Sequence, residues 1–153
     1  MLFVGSEELK ELVGQSNLGD KAGFVNENDI IPFDEVYNCM KDVMADILLG
    51  RELPRGLVGW YYQQFLKMKY SALCDDEYYM SWDGDTVPCK DFSMFDSEGR
   101  PYFDMKHEYH EEYFITMETI MPSVKKLIDK SFISEHMIFN SRYMKGLLYT
   151  SDA

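Results

Sequence analysis

Tyr-Tyr-Met-Ser-Trp-Asp-Gly-Asp-Thr (residues 78–86) is the segment from which the fold is first predicted. Its first five residues are aromatic or apolar apart from one serine, which favours a short central strand covered on both faces. Asp83 and Asp85 follow this strand directly, and Pro88 prevents the simple continuation of a paired strand. Ligands of open α/β sheets collect beyond the carboxyl ends of the strands. The two carboxylates are therefore the first candidate site.

Predicted helices alternate with short apolar runs on both sides of this strand. Two further strands are predicted at residues 1–4 and 24–25, the second followed by an acidic loop at 26–29. A hairpin with Gly99 in its turn is predicted at residues 92–103. Capping residues and the helical spacing of apolar side chains predict helices at about residues 6–13, 34–49, 57–73, 112–121, 122–128 and 141–148. This alternation indicates an α/β fold with a mostly parallel sheet, and the length suits a single domain, 1–153.

The chain is strongly acidic, with 27 Asp and Glu residues against 15 Lys and Arg and a formal net charge of −12. Such a field would repel a nucleic acid duplex or an anionic membrane surface, so no nucleic acid partner is expected. No run of about 18 apolar residues predicts a membrane span, and the start lacks the segments of a signal peptide. The three cysteines are odd in number and match no zinc pattern. Reduced thiols, and hence a cytoplasmic protein, are expected.

Asp83 and Asp85 have the chemistry of a cation site. One small residue separates them, so both carboxylates can point at a common ion. Hard oxygen ligands suit Mg²⁺ or Mn²⁺, which can bridge the diphosphate of a sugar nucleotide and neutralise charge on the leaving phosphate. An ordinary surface turn explains the same residues equally well, because Asp and Gly are common turn residues.

Residues 83–87 also fit the opening motif of the haloacid dehalogenase superfamily of phosphohydrolases. In that interpretation Asp83 is a nucleophile and Asp85 a general acid, with Mg²⁺ beside them. The rest of the chain does not favour it, because that fold presents its nucleophile on the first strand of its core. Here some eighty residues precede the motif, and no later acidic pair at a strand end completes the metal site.

Three ordered segments resemble a mainly bacterial family of glycosyltransferase-like proteins associated with surface polysaccharide synthesis. They are Gly-Trp-Tyr-Tyr-Gln-Gln-Phe-Leu-Lys at 59–67, the strand and carboxylate pair at 78–88, and Ser-Phe-Ile-Ser-Glu-His-Met-Ile-Phe at 131–139. The predicted hairpin and the Glu-Tyr-His segment at 108–110 fit the same pattern. The resemblance extends over about residues 1–148.

This resemblance implies a GT-A fold, a three-layer α/β/α arrangement, and metal-dependent transfer of a sugar from a nucleotide-sugar donor to a glycan or lipid-linked acceptor. It implies that Mn²⁺ or Mg²⁺ binds at Asp83 and Asp85, with Asp83 also touching the ribose or sugar. Under this resemblance the sequence would begin at the second strand of such a domain, without the strand and helix that usually start it. The alternatives are therefore a fragment or minimal variant of the domain, or a non-catalytic relative that keeps the fold and binds a partner.

One face of the predicted helix at 57–73 carries candidate donor-binding residues. Lys67 can meet a phosphate, and the amides of Gln63 and Gln64 can hydrogen-bond sugar hydroxyls or fix the carboxylate loop. Trp60 shares this face. A polar face packed under a loop is the structural alternative. Trp82 can likewise stack on a base or sugar, or be a core residue at the end of its strand.

Two Glu–His pairs are the acid–base candidates. They are Glu108 with His110, and Glu135 with His136. Transfer to a hydroxyl by an inverting enzyme needs a group that takes the proton of the acceptor, and Glu135 is the favoured base. A histidine can also supply a third metal ligand.

Overall fold

The computed structural model describes residues 1–16, 21–107, 110–131 and 134–150. Glu108 thus lies outside the described residues. The described strands are β1 (Leu2–Gly5), β2 (Gly23–Asn26), β3 (Tyr78–Trp82) and β4 (His136–Asn140). The described helices are α1 (Glu7–Gly14), α2 (Glu27–Ile30), α3 (Phe33–Val43), α4 (Ala45–Leu48), α5 (Arg55–Lys69), a 3-10 helix (Tyr70–Leu73), α6 (Glu111–Ile120) and α7 (Ser141–Thr150).

The chain forms two compact units. The first unit contains residues 1–75 and 141–153, and the second unit contains residues 76–140. The expectation of one domain over 1–153 stays a prediction. No helix in the described ranges is long and apolar enough to cross a membrane.

The first unit begins with a parallel strand pair joined through α1. β1 pairs with β2 in the register Leu2 opposite Gly23 and Gly5 opposite Asn26. The Ser6 side chain accepts a hydrogen bond from the backbone N–H of Leu9 and so caps α1, with acidic residues in the first turn. Both strands and the capped helix were predicted from the sequence, and the structure confirms them.

The core of the first unit lies between α3 and α5. Four buried residues form it: Val36, Leu53, Val58 and Tyr62. The Tyr62 hydroxyl donates a 2.7 Å hydrogen bond to the carbonyl oxygen of Ile31, which joins α5 to the segment before α3. Burial, and then the negative charge of Glu27, raise the pKa of Tyr62 to about 12. The phenol is therefore a neutral donor at any physiological pH.

Tyr62→Phe is expected to lower the free energy of unfolding by about 1–2 kcal/mol, because the Ile31 carbonyl oxygen loses its buried donor. Tyr62 is 4% exposed, whereas its neighbour Tyr61 is 39% exposed. Tyr61→Phe is the matched control and should leave stability nearly unchanged. Urea denaturation followed by circular dichroism measures both, and equal stability of the two variants would contradict the assignment.

The second unit is built on an antiparallel pair of strands. β3 pairs with β4 in the register Tyr78 opposite Asn140 and Trp82 opposite His136. The predicted hairpin is reduced to one antiparallel bridge between Phe95 and Pro101. Gly99 has a φ of +78° in its turn, a conformation that favours glycine. The α/β class is thus confirmed, but the described strands form one parallel and one antiparallel pair rather than a mostly parallel sheet.

Three local predictions are corrected. The acidic loop predicted at 26–29 is mostly α2, because Asn26 caps this short helix through the N–H of Asn28. The helix predicted at 34–49 is divided at Met44 into α3 and α4. Residues 122–128, all of which the structure describes, contain no helix. Proline is tolerated in the first turn of a helix, so Pro122 does not explain this, but the segment buries no apolar face that would stabilise a helix.

Candidate functional site

The carboxyl end of β3 and the amino end of β4 meet at one end of the strand pair. The backbone N–H of Asp83 donates a 2.8 Å hydrogen bond to the carbonyl oxygen of Glu135, one position beyond the pair formed by Trp82 and His136. The antiparallel pairing therefore places the Asp83–Asp85 segment beside the Glu135–His136 segment. These two segments were chosen from the sequence as metal and acid–base candidates, and the structure brings them together.

A tight turn carries the two carboxylates, and we call residues 83–86 the D-x-D turn. The N–H of Thr86 donates to the carbonyl oxygen of Asp83 at 3.1 Å, and the Trp82 indole Nε1–H donates to the carbonyl oxygen of Thr86 at 2.7 Å. The Thr86 hydroxyl also donates to Asp85 Oδ1 at 3.4 Å. Asp83 is half-buried and Asp85 is exposed. The turn is thus closed from the strand side, and Asp85 is open to a ligand.

Three rings pack together next to the turn. The Trp82 ring stacks on His136 with a centroid separation of 4.9 Å and on Phe92 with 5.7 Å. Phe92 also lies 6.2 Å from His136. These contacts fix the plane of the His136 imidazole. Trp82 therefore has a structural contact with a candidate catalytic residue, in addition to closing the D-x-D turn.

A group of charged side chains surrounds His136. One ligand atom each from Asp104, Glu135 and His136 lies within 4.8 Å of the others. Nζ of Lys106 lies 3.2 Å from Asp104 Oδ2 and 3.2 Å from Glu135 Oε2. The Ser134 hydroxyl donates to Asp104 Oδ2 at 2.9 Å. We call these five residues the Lys106 cluster.

Backbone pairing places Lys106 opposite the start of the Glu–His segment. Its N–H donates to the carbonyl oxygen of Ser131 at 2.9 Å, and the N–H of Ser131 donates back at 3.0 Å. Lys106 forms ion pairs with Asp104, two residues before it, and with Glu135. This arrangement places the ammonium group between two carboxylates of the cluster.

Mutual contacts shift the titration of three charged groups in the Lys106 cluster. The Ser134 hydroxyl, followed by Lys106, lowers the pKa of Asp104. A backbone N–H hydrogen bond, followed by Lys106, lowers the pKa of Glu135. Hydrogen bonds to Glu135 and Asp104 raise the pKa of Lys106. Both carboxylates and the ammonium group are therefore charged at neutral pH.

The amino-acid sequence matches a known sequence family. A sequence family described as a family of unknown function, DUF6492, matches residues 7–137. The chain belongs to DUF6492. The matched range contains the D-x-D turn, the Lys106 cluster and α5. We find no curated protein and no solved structure that matches the chain.

The predicted donor-binding residues of this DUF6492 chain belong to a single helix. Trp60, Gln63, Gln64 and Lys67 are on α5 in the first unit. Trp60 is half exposed and packs its ring edge-to-face against Tyr61 at 4.9 Å. Their role in donor binding stays a prediction.

The second Glu–His pair is described only in part. His110 is exposed and precedes α6, and its ring lies 5.4 Å from that of Tyr113. Glu108 lies outside the described residues. The catalytic role predicted for this pair stays a prediction.

Two members of the Lys106 cluster, Asp104 and Lys106, were not predicted from the sequence. The available signal was the pair of opposite charges two residues apart at Asp104 and Lys106. Ser134 lies inside the segment 131–139 that carried the resemblance, but no role had been assigned to it. The contacts that bring Asp104 and Lys106 to β4 join residues far apart in sequence, as in the Ser134–Asp104 hydrogen bond with a separation of 30. Spacing alone does not reveal such contacts.

The pH dependence of stability tests the ion pairs of Lys106. Because the pKa of Lys106 is raised, its contribution to the free energy of unfolding is complete below the ordinary pKa of 10.5. This contribution is lost as the pH rises through the raised pKa. Because the pKa values of Asp104 and Glu135 are lowered, their contributions to the free energy of unfolding are complete above their ordinary pKa values of 3.8 and 4.5. These contributions are lost as the pH falls through the lowered pKa values. In EDTA, the melting-temperature difference between the wild type and Lys106→Met should be largest between about pH 5 and about pH 10.

The exposed Lys125 provides the matched control for this measurement. The melting-temperature difference between the wild type and Lys125→Met should not become smaller at both ends of the pH range. A Lys106→Met difference of the same size at about pH 2.5 and at neutral pH would contradict the ion pairs.

Proposed function

We propose that this chain is a metal-dependent glycosyltransferase that moves a sugar from a nucleotide-sugar donor to a glycan or lipid-linked acceptor in surface polysaccharide synthesis. The observation that supports the proposal most is the D-x-D turn itself. It follows a strand, it is closed by Trp82, and it exposes Asp85 next to the segment of Glu135 and His136. In this proposal the turn would bind the metal and the diphosphate, and the neighbouring segment would supply the proton-accepting group.

The carboxylates of Asp83 and Asp85 suit a resident Mn²⁺ or Mg²⁺. They are hard oxygen donors separated by one residue, and the exposed Asp85 leaves room for a diphosphate to share the ion. When bound, such an ion supplies Lewis-acid stabilisation of the leaving phosphate. The chain itself contributes the orientation of the turn, through the hydrogen bond from Trp82 to Thr86.

Proton removal from the acceptor hydroxyl falls to Glu135 or His136. The lowered pKa of Glu135 makes its carboxylate a weaker base. His136 is held by the Trp82 and Phe92 rings, and histidine is the commonest general base near neutral pH. The structure thus favours His136 over the Glu135 assignment made from the sequence.

A GT-A arrangement belongs to the same proposal. The α/β class, the parallel pairing of β1 with β2, and a D-x-D turn directly after a strand support it. The three-layer sheet of that fold is part of the proposal and not of the observed architecture. A cytoplasmic location likewise remains part of the proposal.

Thermal stability with a panel of donors tests the proposed function. UDP, GDP, CMP and dTDP sugars are each added with Mn²⁺ or with EDTA. A ligand that binds only the folded protein raises its melting temperature by mass action, so one nucleotide class should raise it with Mn²⁺ and not with EDTA. A protein that melts cooperatively and responds to none of the donors would contradict the proposal and favour the non-catalytic alternative.

A further inference from the structure

The Lys106 cluster contains a second set of ligand atoms that does not include the D-x-D turn. Asp104 lies in the segment that leads to Lys106, whereas Glu135 and His136 lie at the start of β4. Their ligand atoms are within 4.8 Å of one another. Two carboxylates and one imidazole form a mixed oxygen and nitrogen set that suits Mn²⁺, Fe²⁺ or Zn²⁺. The set is therefore chemically distinct from a pair of aspartates.

A positive charge already lies at these ligands. The Lys106 ammonium group is 3.2 Å from an oxygen of Asp104 and 3.2 Å from an oxygen of Glu135. It bridges two carboxylates that are contributed by different segments of the second unit. Its position is that of a cation shared between the two carboxylates.

We propose that Asp104, Glu135 and His136 form a divalent-cation site, and that the Lys106 ammonium group occupies this site when no metal is bound. The proposal is independent of sugar transfer. A cation held there engages both candidate bases, Glu135 and His136. Cation binding at this site and proton transfer by these residues therefore exclude each other.

Neighbouring groups orient the proposed ligands. The Ser134 hydroxyl donates to Asp104, and the same oxygen accepts a 3.5 Å hydrogen bond from the backbone N–H of His136. The Trp82 ring stacks on the His136 imidazole at an interplanar angle of 20°. Outer contacts of this kind fix the orientation of metal ligands. Two of the three ligands are thus held in place before a cation arrives.

The required movement is small. Ligand atoms at about 2.0–2.2 Å from one tetrahedral ion are about 3.3–3.6 Å apart. The ligand atoms here lie within 4.8 Å, so any pair must approach by at most about 1.5 Å. Glu135 is exposed and can make this movement by rotating its side chain.

Mn²⁺ binding without any nucleotide tests the site. Electron paramagnetic resonance measures the free ion, and an Asp85→Asn background removes the contribution of the D-x-D turn. Lys106→Met in this background should bind Mn²⁺ about threefold to tenfold more tightly, because the metal no longer displaces an ion-paired ammonium group. Adding Asp104→Asn or His136→Gln to Lys106→Met should remove this gain.

Lys125→Met in the same background is the matched control for the loss of one positive charge. Equal Mn²⁺ affinity of the Lys106→Met and Lys125→Met proteins would overturn the proposal. So would a gain that survives Asp104→Asn, in a protein whose cooperative melting shows that it is folded. Failure of the donor panel with the Lys106→Met gain present would contradict the proposed function alone, so the two failures are distinguishable.

Discussion

Replacing Asp85 with asparagine is expected to abolish Mn²⁺-dependent binding of the nucleotide-sugar donor. Asparagine keeps the size of the side chain but removes the negative charge that would hold the ion. The loss of one preorganised electrostatic contact to a transferring group lowers turnover by about 10²–10³-fold, and we expect a loss of that order in sugar transfer. Calorimetric titration of the donor, with Mn²⁺ and with EDTA, measures the binding, and release of the nucleoside diphosphate measures the transfer.

Asp91→Asn is the matched control for this substitution. Asp91 is an exposed aspartate of the second unit that lies outside the D-x-D turn and the Lys106 cluster. The Asp91→Asn substitution should leave donor binding and sugar transfer unchanged. If Asp85→Asn bound the donor in the presence of Mn²⁺ with the same affinity as the wild type, the D-x-D turn would not hold the metal.

Leu53→Ala is expected to lower the free energy of unfolding of the first unit by about 2–5 kcal/mol, because it leaves a cavity in a packed core. Leu53 is 1% exposed and packs with Val36, Val58 and Tyr62. Its carbonyl oxygen also accepts a 3.1 Å hydrogen bond from the Tyr37 hydroxyl, which ties the segment before α5 to α3. The side chain and backbone of one residue therefore join the two main helices of this unit.

Leu12→Ala is the control for the Leu53 substitution. Leu12 lies on α1 in the same unit and is 64% exposed, so its truncation should change stability little. Urea denaturation followed by far-ultraviolet circular dichroism reports mainly on the first unit, because all the described α-helices except α6 lie there. Equal unfolding midpoints for the two variants would show that Leu53 is not a core residue.

The strand and the turn of the candidate site could be predicted from sequence because their signals are local. A run of five residues, aromatic or apolar apart from Ser81, predicts β3, and the position of Asp83 and Asp85 directly after it follows from chain connectivity. Glu135 and His136 were chosen because they are adjacent titratable residues. Their position beside the turn depends on the pairing of β3 with β4, for which a single sequence carries no local signal.

The parts that sequence reasoning missed depend on contacts between distant residues. The segment 136–140 has no regular alternation, so its strand and its antiparallel direction were not predicted. The residues next to Lys106 in sequence are typical of a protein surface. Its role in the cluster comes from its ion pairs with two carboxylates, those of Asp104 and Glu135. The predicted helix at 122–128 was wrong because Pro122 is only a local start signal, and the largely exposed segment buries no apolar face that would stabilise a short helix.

Paramagnetic broadening in the nuclear magnetic resonance spectrum tests whether the D-x-D turn holds the metal of a nucleotide-sugar donor. Mn²⁺ is added at low stoichiometry to the isotope-labelled chain, with and without the nucleoside diphosphate of the best donor, and Mg²⁺ provides the diamagnetic reference. In an Asp104→Asn background, which removes the second proposed cation site, we expect nucleotide-dependent broadening that is strongest for the backbone amides of residues 83–86 and is absent when Asp85→Asn is added. Tight nucleotide binding without broadening at these amides, or no nucleotide binding at all, would contradict a metal-dependent donor site at the D-x-D turn.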